Sequence, residues 1–166
     1  MGRRIAIFGN SGSGKSTLAR RIGAVLDLPV THLDQLYWRP GWVPAPPDEF
    51  RSAVAAAART PSWVIDGNYS RTMDLRLPLA DTVLFLDAPR RVSLYRVLAR
   101  QVRERGQDTQ APGCISKVDA ELLSWIWGWP ERRTRLLDRI AEDAPSARQV
   151  LLRTPREVRA LLADLH

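Results

Sequence analysis

Cysteine, lysine and long apolar runs are all scarce in this chain of 166 residues. Cysteine occurs only at Cys114, which excludes an internal disulfide framework and a cysteine-only zinc site. No apolar run approaches the roughly 18 residues needed to span a bilayer, and the segment MGRRIAIFGNSG has no signal-peptide pattern. We therefore expect a cytoplasmic protein without a membrane partner, folded as a single domain over 1–166.

The basic charge comes almost entirely from arginine. The net charge is +7, and lysine occurs only at Lys15 and Lys117. Such an excess favours phosphate-rich partners, either nucleotides or a nucleic-acid backbone. A solvated basic surface is the alternative, so the spacing of the arginines has to decide.

Short apolar segments alternate with amphipathic ones along the chain. Strands are predicted over 3–9, 28–33, 62–66, 81–87 and 148–153. Helices are predicted from Lys15 to about Asp27, over APPDEFRSAVAAAART, from about Arg90 to Arg105, near 117–128 and 131–142, and over 154–165 with a Thr154–Glu157 capping box. A polar loop is predicted over 106–114. This alternation predicts an α/β fold in which helices cover both faces of a parallel sheet.

Several polar residues follow the predicted strands directly. Ligands of open parallel sheets bind at the carboxyl ends of the strands. The residues brought to that edge would be Gly9, Asp34, Asp66, Asp87 and Arg153.

The segment GNSGSGKS matches the phosphate-binding loop pattern G-x-x-x-x-G-K-[ST] between a strand and a helix. Its glycines allow backbone N–H groups to surround a phosphate, and Lys15 would reach the β- and γ-phosphates. The Ser16 hydroxyl would bind Mg²⁺. The predicted nucleotide contacts are Gly9, Asn10, Ser11, Gly12, Ser13, Gly14, Lys15, Ser16 and Thr17.

Further motifs suggest a family. They are GNSGSGKST, HLDQLYWRPGW, VIDGNY, ADTVLFLDAPR, RVLARQVR and WIWGWP. Over essentially its whole length the chain resembles the adenylate-kinase-like P-loop kinases, and within them the bacterial DNA topology modulation proteins. The resemblance implies a three-layer P-loop NTPase sandwich with five parallel strands in the order 2-3-1-4-5. It also implies an acceptor-side segment at about 31–60 and a short lid at about 103–118.

The resemblance also assigns charged residues to the donor site. Asp66 would hold Mg²⁺ with Ser16, in preference to Asp87, which ends a neighbouring strand. Arg96 and Arg100 lie seven and eleven positions after Pro89, the family spacing for arginines that contact the base and the phosphates. In this fold, arginines at the start of the helix after the lid neutralise the transferring phosphoryl group. Arg132 is preferred there, followed by Arg135, and Arg133 is not excluded.

The acceptor side is expected to lie around THLDQLYWRPGW and DGNYSR. Asp34 would accept a hydroxyl proton or orient the acceptor, as in shikimate- and gluconate-type kinases, with His32 as a helper. Arg39 would bind an anionic group there. Arg71 lies one residue later in the sequence than the arginine that binds the acceptor phosphate in adenylate kinases. The aromatic residues of this segment would either line the binding site of a planar ligand or pack in the core. The acceptor contacts predicted are Asp34, Tyr37, Trp38, Arg39, Gly67, Asn68, Tyr69 and Arg71, with Trp42 as a further wall.

These features together predict a Mg²⁺-ATP-dependent phosphotransferase for a small hydroxyl- or phosphate-bearing acceptor, with a nucleotide or nucleoside favoured. Its catalytic residues would be Lys15, Asp34, Arg100 and Arg132. An ATP-hydrolysing protein that binds DNA and modulates its topology is the alternative, and nucleic acid is not the favoured partner. Bare ATP hydrolysis and a kinase-fold toxin also stay open. We expect a monomer or a weak dimer, and packing roles for Trp125, Trp127 and Trp129.

Overall fold

The computed structural model describes residues 2–103, 111–115 and 120–165. The strands are β1 (Arg4–Gly9), β2 (Val30–His32), β3 (Trp38–Arg39), β4 (Val43–Pro44), β5 (Trp63–Asp66), β6 (Thr82–Leu86) and β7 (Arg148–Leu152). The helices are α1 (Lys15–Leu26), α2 (Leu33–Tyr37), α3 (Pro47–Ala58), α4 (Met73–Arg76), α5 (Arg90–Arg103), α6 (Ala120–Trp127), α7 (Trp129–Asp143) and α8 (Pro155–Ala163). A 3₁₀ turn, Ser70–Thr72, precedes α4.

Five strands form one parallel sheet in the order β2-β5-β1-β6-β7. Counted along the chain without the small β3–β4 hairpin, this is the predicted order 2-3-1-4-5. In the register, Ile7 of β1 lies opposite Asp66 of β5, and Asp66 lies opposite His32 of β2. The carboxyl ends of these strands therefore meet at one edge, as the sequence predicted.

Two apolar clusters cover the two faces of the sheet. Alternate residues of β1 point to opposite sides, so Ile5 and Ile7 join one cluster while Ala6 and Phe8 join the other. The first cluster packs against α1 and α8, and the second against α3, α4 and α7. Each large aliphatic residue buried this way contributes about 1.5–3 kcal/mol to folding. The predicted α/β architecture with helices on both faces is confirmed.

The segment predicted as a strand over 28–33 is shorter in the structure. Only Val30–His32 pairs with β5, and α2 begins at Leu33, whose side chain is buried below the sheet edge. The chain then forms the antiparallel β3–β4 hairpin, with Trp38 opposite Pro44. Four short elements therefore follow one another between Val30 and Pro44.

Other boundaries agree with the predictions to within a few residues. The capping box of α8 is confirmed: the Thr154 hydroxyl accepts from the Glu157 N–H (3.2 Å), and the Glu157 carboxylate accepts from the Thr154 N–H (3.1 Å). Most of the predicted loop 106–114 lies outside the described residues, as do 116–119 at the start of the predicted helix 117–128.

Candidate active site at the carboxyl ends of the strands

The phosphate-binding loop joins β1 to α1 and requires glycine at two positions. Gly9 and Gly12 have φ values of +146° and +74°. A Cβ at Gly9 would lie 2.5 Å from the Leu86 carbonyl oxygen, and one at Gly12 would lie 2.5 Å from the Ser93 carbonyl oxygen. Both positions therefore exclude side chains by conformation and by contact.

Lys15 lies between the loop and two carboxylates. Its Nζ donates to the Asn10 carbonyl at 2.9 Å, across the turn of the loop. Burial lowers the pKa of Lys15, the charges of Asp34 and Asp66 oppose that shift, and Arg100 reinforces it. The charges of Asp34, Asp66 and Arg100 therefore all act on the Lys15 ammonium group.

Asp66 is the carboxylate that reaches the phosphate-binding loop. It is 3% exposed, and its Oδ2 accepts a hydrogen bond from the Ser16 hydroxyl at 2.7 Å. His32 Nδ1 lies 2.5 Å from the other oxygen, Oδ1. Serine and aspartate oxygens are ligands that Mg²⁺ accepts, so this pair fits the predicted ion.

Asp87, the rival carboxylate, is engaged elsewhere. It accepts two hydrogen bonds from Arg133, at 2.7 and 2.8 Å, and Arg153 Nε lies 3.7 Å from it. Among the residues the structure describes, no group of three or more histidine, cysteine or acidic side chains could hold a metal ion. A metal here would depend on Ser16, Asp66 and nucleotide oxygens.

Arg96 and Arg100 lie one turn apart on α5 and both face the phosphate-binding loop. Arg96 Nη1 donates to the Ser13 carbonyl at 3.1 Å. Arg100 is close enough to Lys15 to lower its pKa, and its buried Nε has no hydrogen-bond partner among the described residues. The structure thus brings this predicted pair to the donor side.

The arginines at the start of α7 separate in space. Arg132 lies over the Trp125 ring, with its Cζ 4.1 Å from the ring centroid, and donates to the carbonyls of Ser124 and Trp125. Arg135 is exposed beside Glu131. Arg133 is therefore the one that pairs with a carboxylate, Asp87, at the sheet edge.

The expected packing role holds for only one of the three tryptophans. Trp129 is 3% exposed and stacks on Phe85 at 6.0 Å. Trp125 and Trp127 are 42% and 71% exposed, because Ile126 takes the buried face of α6 and its helical neighbours point away from it. The Arg90 guanidinium instead lies over the Trp127 ring, with its Cζ 4.8 Å from the ring centroid.

On the predicted acceptor side, a tyrosine side chain holds Asp34 in position. The Tyr69 hydroxyl donates to Asp34 Oδ1 at 2.6 Å. Burial raises the pKa of Tyr69 far above its usual value, and the Asp34 charge and hydrogen bond add to this, with a smaller opposing effect of the Trp38 indole. Tyr69 therefore remains a protonated donor to the carboxylate.

The aromatic residues divide between the two predicted roles. Tyr37 packs edge-on against Phe50 at 5.1 Å and tilted against Tyr69 at 4.9 Å, so it belongs to the core margin. Trp38 and Trp42 form a partly exposed edge-to-face pair at 5.4 Å. The Trp42 indole N–H donates to the Ile115 carbonyl at 2.9 Å.

Asn68 has a role that the sequence did not reveal. It was predicted to contact the acceptor, but its amide closes a pair of hydrogen bonds with the backbone of Gly9. The Gly9 N–H donates to Asn68 Oδ1 (3.1 Å), and Asn68 Nδ2 donates to the Gly9 carbonyl (2.9 Å). The loop after β5 is thereby joined to the first residue of the phosphate-binding loop.

Arg76 is a second residue that sequence reasoning missed. Its side chain is fully buried, donates to the Gly67 and Asn68 carbonyls at 2.8 and 2.9 Å, and lies over the Phe8 ring. Burial lowers the pKa of Arg76 to about 9, with Asp66 opposing the shift. An arginine inside the apolar run LRLPLA was the available signal.

Three backbone or side-chain contacts attach residues 111–115 to the β3–β4 hairpin. The Gly41 N–H donates to the Gly113 carbonyl at 2.9 Å, the Cys114 thiol donates to the Arg39 carbonyl at 3.2 Å, and Trp42 binds Ile115 as described. These residues belong to the predicted lid, the rest of which lies largely outside the described ranges. The described end of the lid thus contacts the acceptor-side hairpin directly.

No family model matches the chain, and no curated protein matches it. Solved structures do. A shikimate kinase from Acinetobacter baumannii in complex with shikimate is 16% identical, with a TM-score of 0.62 over 98% of this chain and 90% of that one. A gluconokinase from Sinorhizobium meliloti 1021 is 19% identical, with a TM-score of 0.54 over 98% and 93%. A sugar kinase from Janibacter sp. HTCC2649 is 17% identical, with a TM-score of 0.51 over 99% and 96%.

These likenesses concern the architecture. Helices long and apolar enough to cross a bilayer are absent from the part of the chain that the structure describes. The resemblance to the DNA topology modulation proteins remains a prediction. The fold of this chain is that of the P-loop kinases.

Proposed function

We propose that this chain is a Mg²⁺-ATP-dependent phosphotransferase that acts on a small hydroxyl- or phosphate-bearing acceptor. The observation that carries the proposal is the 2.7 Å hydrogen bond from Ser16, the residue after Lys15 in the phosphate-binding loop, to Asp66. Burial lowers the pKa of Lys15, and the charges of Asp34 and Asp66 both raise it against that effect. A phosphate held by this lysine would have a metal-binding carboxylate on one flank and an acceptor-orienting carboxylate on the other. A glycine-rich turn with only a structural role would not require a carboxylate on each side of the lysine.

On the donor side, the loop backbone and Lys15 would bind the β- and γ-phosphates of ATP. Ser16 and Asp66 would hold Mg²⁺, which supplies charge neutralisation on the phosphate oxygens when bound. Arg96 already contacts the loop at Ser13, and Arg100 lies beside Lys15. These two arginines would cover the nucleotide and offset the charge that develops during transfer.

On the acceptor side, Asp34 would orient the attacking hydroxyl and take its proton. Its Oδ1 is held by Tyr69, so its position does not depend on the acceptor. Such preorganisation is the main contribution that a protein makes to phosphoryl transfer. Among the arginines of α7, Arg132 remains the first choice for neutralising the phosphoryl group, although Arg133 is the one near the sheet edge.

The test is ADP release from MgATP over a panel of nucleosides, nucleotides and sugars. We expect acceptor-dependent release by the wild-type chain and its loss, by at least about 100-fold, in Lys15→Ala. Asp34→Asn should keep ATP binding but lose transfer, whereas Asp48→Asn, the same change at an exposed position of α3, should behave like the wild type. Unchanged transfer by Asp34→Asn would refute the role of Asp34.

A second candidate function is nucleic-acid binding modulated by ATP. It is favoured by the net charge of +7 and by the exposed Arg90–Trp127 and Arg132–Trp125 pairs, since arginines and aromatic faces are what single strands bind. A steep loss of DNA affinity with salt, together with a response to ATP, would support it. Acceptor phosphorylation without such binding would favour the kinase.

A further inference from the structure

Three of the four arginines of the acceptor side contact partners within the protein. This side comprises residues 32–51 and 67–76. Arg39 forms an ion pair with Glu49, and Arg51 donates to both carboxylate oxygens of Asp74, at 3.2 and 2.8 Å. Arg76 is 0% exposed, its Nη2 donates to two loop carbonyls, and its buried Nε and Nη1 have no partner among the described residues. Arg39 and Arg51 would have to give up or share a carboxylate partner to bind an anionic acceptor, and Arg76 is enclosed in the core.

The remaining cationic residues of this side are His32 and Arg71. His32 is bound to Asp66, and Arg71 is an exposed residue whose backbone carbonyl accepts from Arg51. Phosphate and carboxylate recognition is usually bidentate and charge-assisted, with arginines facing the ligand. In the described part of this side, Arg39 and Arg51 use guanidinium nitrogens on Glu49 and Asp74 instead.

The acceptor side instead offers a fixed carboxylate. Tyr69 holds Asp34 Oδ1 at 2.6 Å, and among the described residues no hydrogen bond reaches Oδ2. An ionised carboxylate only accepts hydrogen bonds, so it suits a hydroxyl donor. The same charge makes it more costly to place a phosphate or carboxylate directly beside it, which favours an acceptor that is uncharged at this point.

An aromatic surface accompanies this carboxylate. Trp38 and Trp42 are partly exposed and meet edge to face at 5.4 Å. Trp38 meets Tyr37 edge to face at 4.7 Å, and Tyr37 packs against Tyr69 at 4.9 Å, so the aromatic pair and Asp34 belong to one connected group. Ring faces of this kind contribute apolar contact to a flat ligand without requiring a charge.

We infer that the acceptor is an uncharged, hydroxyl-bearing ring compound, of the nucleoside or sugar class, and not its phosphorylated or carboxylated counterpart. The inference rests on the proposed phosphotransferase activity. In the transfer, the acceptor hydroxyl oxygen forms a bond to the γ-phosphorus, and the bond from that phosphorus to the β–γ bridging oxygen breaks. ADP leaves with the electron pair, and the hydroxyl proton passes to Asp34.

The experiment compares matched neutral and anionic compounds: adenosine with AMP, cytidine with CMP, ribose with ribose 5-phosphate, and glucose with gluconate. ADP release gives kcat/KM for each member, and calorimetry with a non-hydrolysable ATP analogue and Mg²⁺ gives each Kd. We expect the neutral member of the best pair to be preferred at least about tenfold in both measurements. Comparison of the nucleoside pairs with the sugar pairs shows which of these two classes of compound is the acceptor.

The outcomes separate this inference from the proposed function. If an anionic member binds more tightly and is phosphorylated faster, the inference is wrong while the phosphotransferase stands. If a neutral compound binds with the expected preference but is never phosphorylated, the proposed function fails and the acceptor-side preference stands. If no member of any pair binds, both are refuted.

A variant pair tests the occupied arginines themselves. Glu49→Gln releases Arg39 from its ion pair, and Asp48→Asn removes the same charge one position earlier. We expect Glu49→Gln alone to improve the Kd of the anionic member relative to the neutral one, by about threefold or more. Equal behaviour of the two variants would overturn the contribution assigned to the Arg39–Glu49 pair, and melting curves confirm that both are folded.

Discussion

At the residue scale, Asn68 connects two loops that are distant in sequence. Its amide gives and receives one hydrogen bond with the backbone of Gly9, at 2.9 and 3.1 Å. Each such bond contributes about 1 kcal/mol net. Since Tyr69, the next residue, holds Asp34, one short loop positions both the phosphate-binding loop and the acceptor carboxylate.

Asn68→Asp tests this connection. The variant keeps an oxygen for the Gly9 N–H but loses the donor to the Gly9 carbonyl, and it adds a negative charge beside the phosphate site. We expect ATP affinity to fall at least about tenfold and the free energy of unfolding to fall by about 1–2 kcal/mol. Calorimetry and urea titration measure the two effects.

Gln35→Glu is the matched control for that variant. It makes the same amide-to-acid change at an exposed position of α2. ATP affinity in this control should stay within about twofold of the wild type, because exposed charges are screened. Equal losses in the two variants would show that the added charge, and not the Gly9 contact, is responsible.

At the element scale, the β3–β4 hairpin contacts residues 111–115, the described end of the predicted lid. The contacts are the Gly41–Gly113 backbone bond, the Cys114 thiol on the Arg39 carbonyl, and the Trp42 indole on the Ile115 carbonyl. Gly113 packs so closely that a Cβ there would lie 2.7 Å from Pro40 Cβ. The position of the hairpin therefore depends on this packed glycine.

Two glycine variants separate backbone strain from this packing. Gly113 and Gly41 have similar φ values, +72° and +78°, but a Cβ at Gly41 would meet nothing within 4 Å. Alanine should cost about 1 kcal/mol of conformational strain at either position. Only Gly113→Ala should also push the lid residues away from Pro40.

Amide hydrogen exchange at position 41 distinguishes the two variants, because the N–H of that residue donates to the Gly113 carbonyl. We expect exchange there to accelerate at least about tenfold in Gly113→Ala and to change little in Gly41→Ala. Similar exchange rates in the two variants would argue against the packed contact as the attachment of the lid residues.

At the scale of the whole molecule, the residues of the proposed donor site come from three parts of the sheet. β1 supplies the loop, β5 supplies Asp66, and α5, which follows β6, supplies Arg96 and Arg100. A ligand that binds only this assembled edge stabilises the entire fold by mass action. Nucleotide binding should therefore be visible in global unfolding.

Thermal unfolding provides that measurement. MgATP at about 100 times its Kd should stabilise the fold by about 2.7 kcal/mol, which corresponds to a rise in Tm of about 5–10 °C for a chain of this size. Chelation of the metal by EDTA should reduce the rise, because Ser16 and Asp66 would then hold no ion. In Lys15→Ala the rise should largely disappear, and a full rise in that variant would contradict the assigned donor site.

Much of this architecture was determined by local sequence. Gly9–Ser16 carries its own pattern between a buried strand and a helix, and Thr154 with Glu157 specifies the start of α8. Both depend on interactions within a few residues, so one sequence suffices to predict them. The spacing of Arg96 and Arg100 likewise placed them on one face of α5, and the structure turns that face toward the phosphate-binding loop.

Only the tertiary structure decided how distant side chains pair. Asn68 joins Gly9 across 59 positions, and Asp87 is taken by Arg133 across 46, so that Asp66 alone of the two rivals reaches Ser16. Arg76 lies inside an apolar run, but only the structure shows that it is buried beneath the loop it supports. The spacing of residues along the chain indicates which face of a helix or strand each residue occupies. Pairing between loops depends instead on the register of the sheet, and that register is set by contacts between segments distant in sequence.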